Sequence, residues 1–396
     1  MAQFSILGLP RSVERRAARI ADPVERLRFL RRQAHAEKES QRKHRLSSRR
    51  GGEGQKRPRR SHLRHVVSMV TGLVVLVATV PLPTGTAETF AKERMRVVAG
   101  NEQPRVAGPA SRVWLVERSD SLELYSNGLR IDLTFAVSNR PRSRFSIFSL
   151  TGNAEQQEDS DAPVGIVYHT TESNLVPFEE EENHHLQRLG RNLIEWVRQE
   201  RSYHYLIDRF GRVYRVVQET DAANHAGTSI WADGRGVYVN LNDSFLGVSF
   251  EGQTGAVDEV TPAQVAAGKV LTEMLRSRYD IPTENCVTHA QVSVNPQNMR
   301  IGSHTDWAGK FPFAGVGLPD NYSIPLASLY VFGFEYDSVF LRVTGMRWRG
   351  LDLAELRVAR QAAAEGLETT RYRAILQHRY KEIASALKEK SQEVVQ

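Results

Sequence analysis

A single cysteine, Cys286, stands in 396 residues. That excludes an intrachain disulfide framework and any cysteine-rich zinc cluster. A metal centre here must be built mainly from histidine and carboxylate. Charge is also missing from one long stretch, because no Lys, Arg, Asp or Glu occurs from Val66 to Ala87. No repeat of about 20–50 residues is present, which removes solenoid and propeller architectures. Hydrophobic residues make up 40% and charged residues 25%, so the chain can build a sizeable core and is not disordered throughout.

The net charge of +7 is unevenly spread. Residues 1–65 carry 19 Lys and Arg against 6 Asp and Glu, and the rest carries 34 against 40. The bulk of the protein is therefore mildly acidic, and no nucleic-acid partner is expected. A charge run of this kind is usually solvated or orienting. Directly after the tail, Val66–Leu82 (VVSMVTGLVVLVATVPL) is almost wholly apolar. It approaches the roughly 20 residues that cross a hydrocarbon layer. The preceding Lys56, Arg57, Arg59, Arg60 and Arg64 would keep the N-terminus cytoplasmic and everything after residue 88 outside. An uncleaved membrane anchor is the favoured reading, with a cleaved signal or a buried core helix as alternatives.

The remaining organisation follows from periodicity and turn residues. A basic tail (1–65) and the apolar segment (66–87) lead to a polar linker (88–110). Residues 111–150 read as β-rich, with Asn127-Gly128 between apolar runs as a hairpin signal. Residues 162–320 alternate strands and helices. Leu186, Leu189, Leu193, Trp196 and Val197 have helical spacing. Thr261-Pro-Ala-Gln264 announces another helix by its cap, its proline and its glutamine. Arg209-Phe-Gly-Arg212 reads as a hairpin turn, and Val164–Tyr168, Phe245–Phe250 and Cys286–His289 as buried strands. Residues 328–346 read as further strands. A C-terminal helical hairpin follows, broken at Gly366, with Tyr372, Leu376, Tyr380, Ile383 and Leu387 as its apolar stripe. The fold class is therefore α/β, a mixed central β-sheet flanked by helices.

Three side chains at the edges of expected strands, His169, His289 and Asp306, are candidate metal ligands. A hydrolytic zinc site needs three protein ligands and one open position for water. In Leu246–Glu251, alternation puts Gly247, Ser249 and Glu251 on one face, where two small residues beside a carboxylate leave room for a substrate.

Seven short motifs then occur in order: Tyr168-His-Thr-Thr171, Ser202–Gly211 (SYHYLIDRFG), Asn224-His-Ala-Gly227, Leu246–Gly252 (LGVSFEG), Thr261-Pro-Ala-Gln264, Thr288-His289 and His304-Thr-Asp306. In this order they resemble the zinc-dependent N-acetylmuramoyl-L-alanine amidases of the type-2 amidase and peptidoglycan-recognition-protein superfamily. The resemblance covers about residues 162–320. It implies a mixed sheet with flanking helices and one Zn2+ in a surface groove. The implied reaction is cleavage of the amide between N-acetylmuramic acid and L-alanine in peptidoglycan or muropeptides.

On that resemblance His169, His289 and Asp306 hold the zinc, and Glu251, Tyr203 and His304 are catalytic. His225, Asn224 and Trp231 are implied substrate contacts. His204 alternates away from Tyr203 and reads as structural. Two departures stand out. His289 and Asp306 are 17 residues apart, longer than the resemblance implies, and His304 stands where the superfamily often has lysine. The third ligand therefore stays open between Asp306 and His304. A peptidoglycan-binding module that does not cut is the alternative function.

Overall fold

The computed structural model describes residues 112–151, 157–254, 260–345 and 347–393, all within one compact unit, Val106–Gln396. The basic tail, the apolar Val66–Ala87 segment and the linker lie outside the described residues. No helix among the described residues is long and apolar enough to cross a membrane.

Fourteen strands are formed among these residues: β1 (Leu115–Arg118), β2 (Leu122–Tyr125), β3 (Arg130–Asp132), β4 (Phe145–Phe148), β5 (Gln157–Ser160), β6 (Gly165–Thr170), β7 (Tyr205–Ile207), β8 (Val213–Arg215), β9 (Ile230–Ala232), β10 (Val237–Val239), β11 (Phe245–Phe250), β12 (Cys286–Thr288), β13 (Val294–Asn295) and β14 (Arg300–Ile301). Eight of them make one mixed sheet in the order β1-β2-β3-β8-β7-β11-β6-β12. Its last four strands, β7, β11, β6 and β12, run parallel, so their carboxyl ends lie along one side of the sheet. Crevices beyond such ends are where open α/β sheets bind ligands. A second sheet, β5-β4-β10-β9, is antiparallel.

Local sequence explains several of these elements. Between β2 and β3 the chain turns through Ser126, Asn127 and Gly128, a three-residue loop rather than a two-residue one. Gly128 sits at φ 84°. Its N–H donates to the Tyr125 carbonyl (2.9 Å), and the Tyr125 N–H donates to Leu129 (2.9 Å). Glycine supplies the left-handed residue that such a loop needs. The meander joins the main sheet through β3 against β8, and a buried ion pair ties the two together. Arg215 Nη2 donates to Glu123 Oε2 (2.8 Å) and to Glu219 Oε1 (3.0 Å), with Arg215 and Glu123 both buried.

Helix α1 (Asn183–Glu200) buries Leu186, Leu193, Ile194 and Val197, whereas Trp196 is 43% exposed. Helix α2 (Pro262–Tyr279) opens on the expected capping box. The Gln264 N–H donates to Thr261 Oγ1 (3.1 Å) and the Thr261 N–H donates to Gln264 Oε1 (3.1 Å). Leu271, Met274 and Leu275 of α2 share a core with Leu246, Val248 and Phe250 of β11 and with Ile166 and Tyr168 of β6. Each such side chain, fully buried, stabilises the fold by about 1.5–3 kcal/mol.

The strands expected over 328–346 are not formed. A helical turn at Ala327–Tyr330 and helix α3 (Ser338–Thr344) take their place. Asp337 Oδ1 accepts the N–H groups of Val339 and Phe340 (both 2.9 Å), which starts α3. The run Leu329–Phe334 is buried throughout, so its apolar residues carry no alternation and their type alone mimics a strand. The chain ends in α4 (Arg349–Ala364) and α5 (Thr369–Glu393), joined through Gly366 at φ 66°. Leu351, Ala354, Val358, Tyr380 and Ile383 of this hairpin belong to the same core as α2 and β11.

Candidate metal centre

His169 lies one residue from the end of β6, and His289 directly follows β12 on the neighbouring strand. Asp306 comes from the loop after β14. His169 Nδ1 is 3.0 Å from Asp306 Oδ2, and His289 Nδ1 is 2.9 Å from Asp306 Oδ1. All three side chains are buried, and one ligand atom from each lies within 4.8 Å of the others. Two imidazoles and a carboxylate are the donor set of a hydrolytic zinc centre. The cluster is geometrically suited to a divalent metal such as Zn2+. Burial, and next to it His289, pushes the His169 pKa down to about 4, so the ring is neutral and available as a ligand at neutral pH. Burial alone would raise the Asp306 carboxyl, but the two histidines hold it well below the usual carboxylate range.

His304 lies outside the three-residue cluster. Its ring stacks on His289, with centroids 4.6 Å apart and planes 15° from parallel, and its N–H donates to Ser293 Oγ (2.9 Å). Burial and the neighbouring His289 lower its pKa. Tyr203 stands on the other side of the cluster, its ring 5.0 Å from that of His169. Its backbone is left-handed at φ 62°, a conformation that strains a bulky residue and is found where surrounding structure over-determines it. Burial and the Asp306 carboxylate push the phenol well above its ordinary pKa, so it remains a hydrogen-bond donor.

Ser249 pairs directly with His169 across β11 and β6, and Glu251 follows one pleat further along the same face. The Glu251 carboxylate is buried and accepts the Arg209 N–H at Oε2 (3.1 Å). Burial raises its pKa, and the Arg209 N–H only partly offsets this. It lines a cavity of about 600 Å³ together with Thr170, Gln253, Trp307 and Lys310. Thr170 and Trp307 each adjoin a cluster residue in sequence, and none of the three cluster residues themselves lines the cavity.

The three expected substrate contacts have different surroundings. Trp231 is 1% exposed, and its Nε1 donates to Asn285 Oδ1 (3.0 Å), which makes it core rather than groove. Asn224 is exposed, but its side-chain amide donates to the Glu200 carbonyl (3.0 Å) at the end of α1. His225 is half-buried. Its Nδ1 lies 3.2 Å from His169 Nε2. His204 is buried as alternation predicts, accepting the Gly247 N–H at Nδ1 (2.9 Å). The place of Ser249 opposite His169 was not legible beforehand, because strand register is set by partners distant in sequence.

Residues 159–308 match the model of the family described as N-acetylmuramoyl-L-alanine amidase (Amidase_2). The matched interval holds all three members of the metal cluster. The chain thus carries a domain of the N-acetylmuramoyl-L-alanine amidase family, the zinc amidases that the motif order resembles, in less than half of its length.

Similar solved structures include the endolysin amidase LysCS from Clostridium intestinale URNW, at 22% identity over 46% of this chain and 93% of that one, with a TM-score of 0.26. The amidase AmiD from E. coli, solved with anhydro-N-acetylmuramic acid-L-Ala-D-gamma-Glu-L-Lys, is 21% identical over 50% of this chain and 65% of that one, with a TM-score of 0.30. Drosophila peptidoglycan recognition protein SD is 19% identical over 39% and 79%, with a TM-score of 0.26. Among curated proteins no match is found.

Proposed function

We propose that this chain hydrolyses the amide between the lactyl group of N-acetylmuramic acid and L-alanine of peptidoglycan stem peptides, with one zinc ion held by His169, His289 and Asp306. The observation that carries the reading is the convergence of these three side chains inside the amidase-family interval. A complete ligand set speaks for cutting rather than for binding alone. Bound zinc supplies Lewis acidity and a water whose pKa falls to about 7.

The chain's own groups have these roles. Glu251, with its raised pKa, takes a proton from the attacking water and returns it to the leaving L-alanine nitrogen. The Tyr203 hydroxyl and the His304 ring donate hydrogen bonds to the carbonyl oxygen as charge develops on it. The cavity beside Glu251 receives the stem peptide. The apolar Val66–Ala87 segment and the basic cluster before it anchor the chain in a membrane, with the amidase domain on the extracytoplasmic side.

Mass spectrometry of peptidoglycan digested with the full chain, with and without a chelator, tests this. Free stem peptides should appear only without chelator. Zinc binding with no release of stem peptide from sacculi or soluble muropeptides would leave a recognition module instead.

A further inference from the structure

Next to the metal cluster runs a line of hydrogen bonds that begins at a backbone carbonyl. His225 Nε2 is 3.3 Å from the Phe245 carbonyl oxygen. A carbonyl only accepts, so this nitrogen carries the hydrogen. In the neutral ring the other nitrogen, Nδ1, then holds a lone pair. That lone pair faces His169 Nε2 at 3.2 Å, so His169 must donate there. Neutral His169 has one N–H, and it is now committed to His225. Its Nδ1 is left with a lone pair, 3.0 Å from the Asp306 carboxylate and on the side of His289. A lone pair set against a carboxylate is unfavourable alone and is satisfied by a cation between them.

The surroundings hold His225 in this role. Asn242 Oδ1 accepts the N–H groups of both His225 (3.0 Å) and Ala226 (2.6 Å), which fixes the backbone. Gly247 makes room for the ring: a Cβ there would lie 2.7 Å from His225 Cγ. His204, whose ring lies 5.7 Å away, has the Gly247 N–H at its Nδ1 and both the Asp221 carbonyl and the Arg142 guanidinium at its Nε2, so its ring nitrogens are taken up by groups other than His225.

We infer that His225 is the positioning residue of the metal centre: it relays the Phe245 carbonyl to His169 and fixes the tautomer in which His169 Nδ1 is the metal ligand. The inference rests on the metal-centre reading above. Outer partners of this kind orient a ligating imidazole, and their loss typically costs about 10–100-fold in metal affinity.

The test uses the full chain, zinc and a competing chelator, with nitrogen-15 NMR of the histidine rings. Zinc-loaded wild type should show His169 with its hydrogen on Nε2. Finding it as Nδ1–H overturns the inference without any variant. His225→Ala should remain folded and lose about 10–100-fold in zinc affinity. His225→Gln, whose amide can accept from His169 and donate to Phe245, should regain most of it. If Gln behaves as Ala does, the ring's bulk rather than its hydrogen bonds matters, and the inference fails. If wild type binds zinc and His225→Ala binds it equally well, the inference fails while the metal centre stands. If wild type binds no zinc, both fall.

Discussion

His304 lies flat on His289, ring on ring at 4.6 Å, while the Asp306 carboxylate lies within 3.0 Å of both His169 and His289. This relationship separates metal binding from catalysis. His169→Ala, His289→Ala and Asp306→Ala should each strip the zinc. His304→Ala should keep it and lose about 10²–10³ in turnover, the usual cost of one donor to a developing oxyanion. Elemental analysis and rate, measured on each variant, decide. Zinc lost from His304→Ala but retained by Asp306→Ala would reverse the ligand assignment.

Glu251 shares a strand face with Ser249 but places its carboxylate against the Arg209 N–H. As the proton carrier, Glu251→Gln should keep zinc and fold and lose about 10²–10⁴ in rate. Turnover near wild type would reduce Glu251 to a support for the Arg209 backbone.

Tyr203 combines a left-handed backbone with a ring beside His169. Tyr203→Phe keeps the ring and removes only the donor. Zinc content and melting temperature should hold, and kcat should fall by about 10²–10³ with KM little changed. A fall confined to KM would assign the hydroxyl to substrate binding.

The Glu123–Arg215 pair predicts how stability responds to acid. Burial alone would raise the Glu123 carboxyl, yet the Arg215 guanidinium holds it at about 2. An unfolded glutamate titrates near 4.3. The folded pKa is the lower one, so the stabilisation is complete above about pH 5 and is lost as pH falls towards 2. It amounts to about 3 kcal/mol. Urea unfolding between pH 7 and pH 3 should show a steeper loss for wild type than for Glu123→Gln. Parallel curves would mean that the pair adds nothing in this range.

Membrane topology follows from the charge-free Val66–Ala87 stretch behind the basic cluster. A reporter fused after residue 90 should be active only outside the cytoplasm. Cytoplasmic activity of that fusion would remove the anchor.

Much of the centre was legible in the sequence because it is written in local patterns. The α2 capping box, the Gly128 turn and the alternation of Leu246–Glu251 each depend on residues within a few positions of one another, so composition and spacing reveal them. The order of the motifs likewise points to His169, His289 and Asp306.

What only the tertiary structure decided depends on contacts between residues far apart in the chain. His304 and Asp306 are two positions apart, and no spacing rule distinguishes their surroundings; in the fold the Asp306 carboxylate meets both His169 and His289, and the His304 ring stacks on His289. Trp231 has the residue type of a groove contact, but its burial and its bond to Asn285 put it in the core. Over 328–346, apolar residues with strand preference become helical because burial on every side removes the alternation that would have marked them. The sequence by itself determined which side chains are available and which short elements they start. The assembled sheet decided which of them meet, because strand register and loop placement are set by the whole core and not by any one segment.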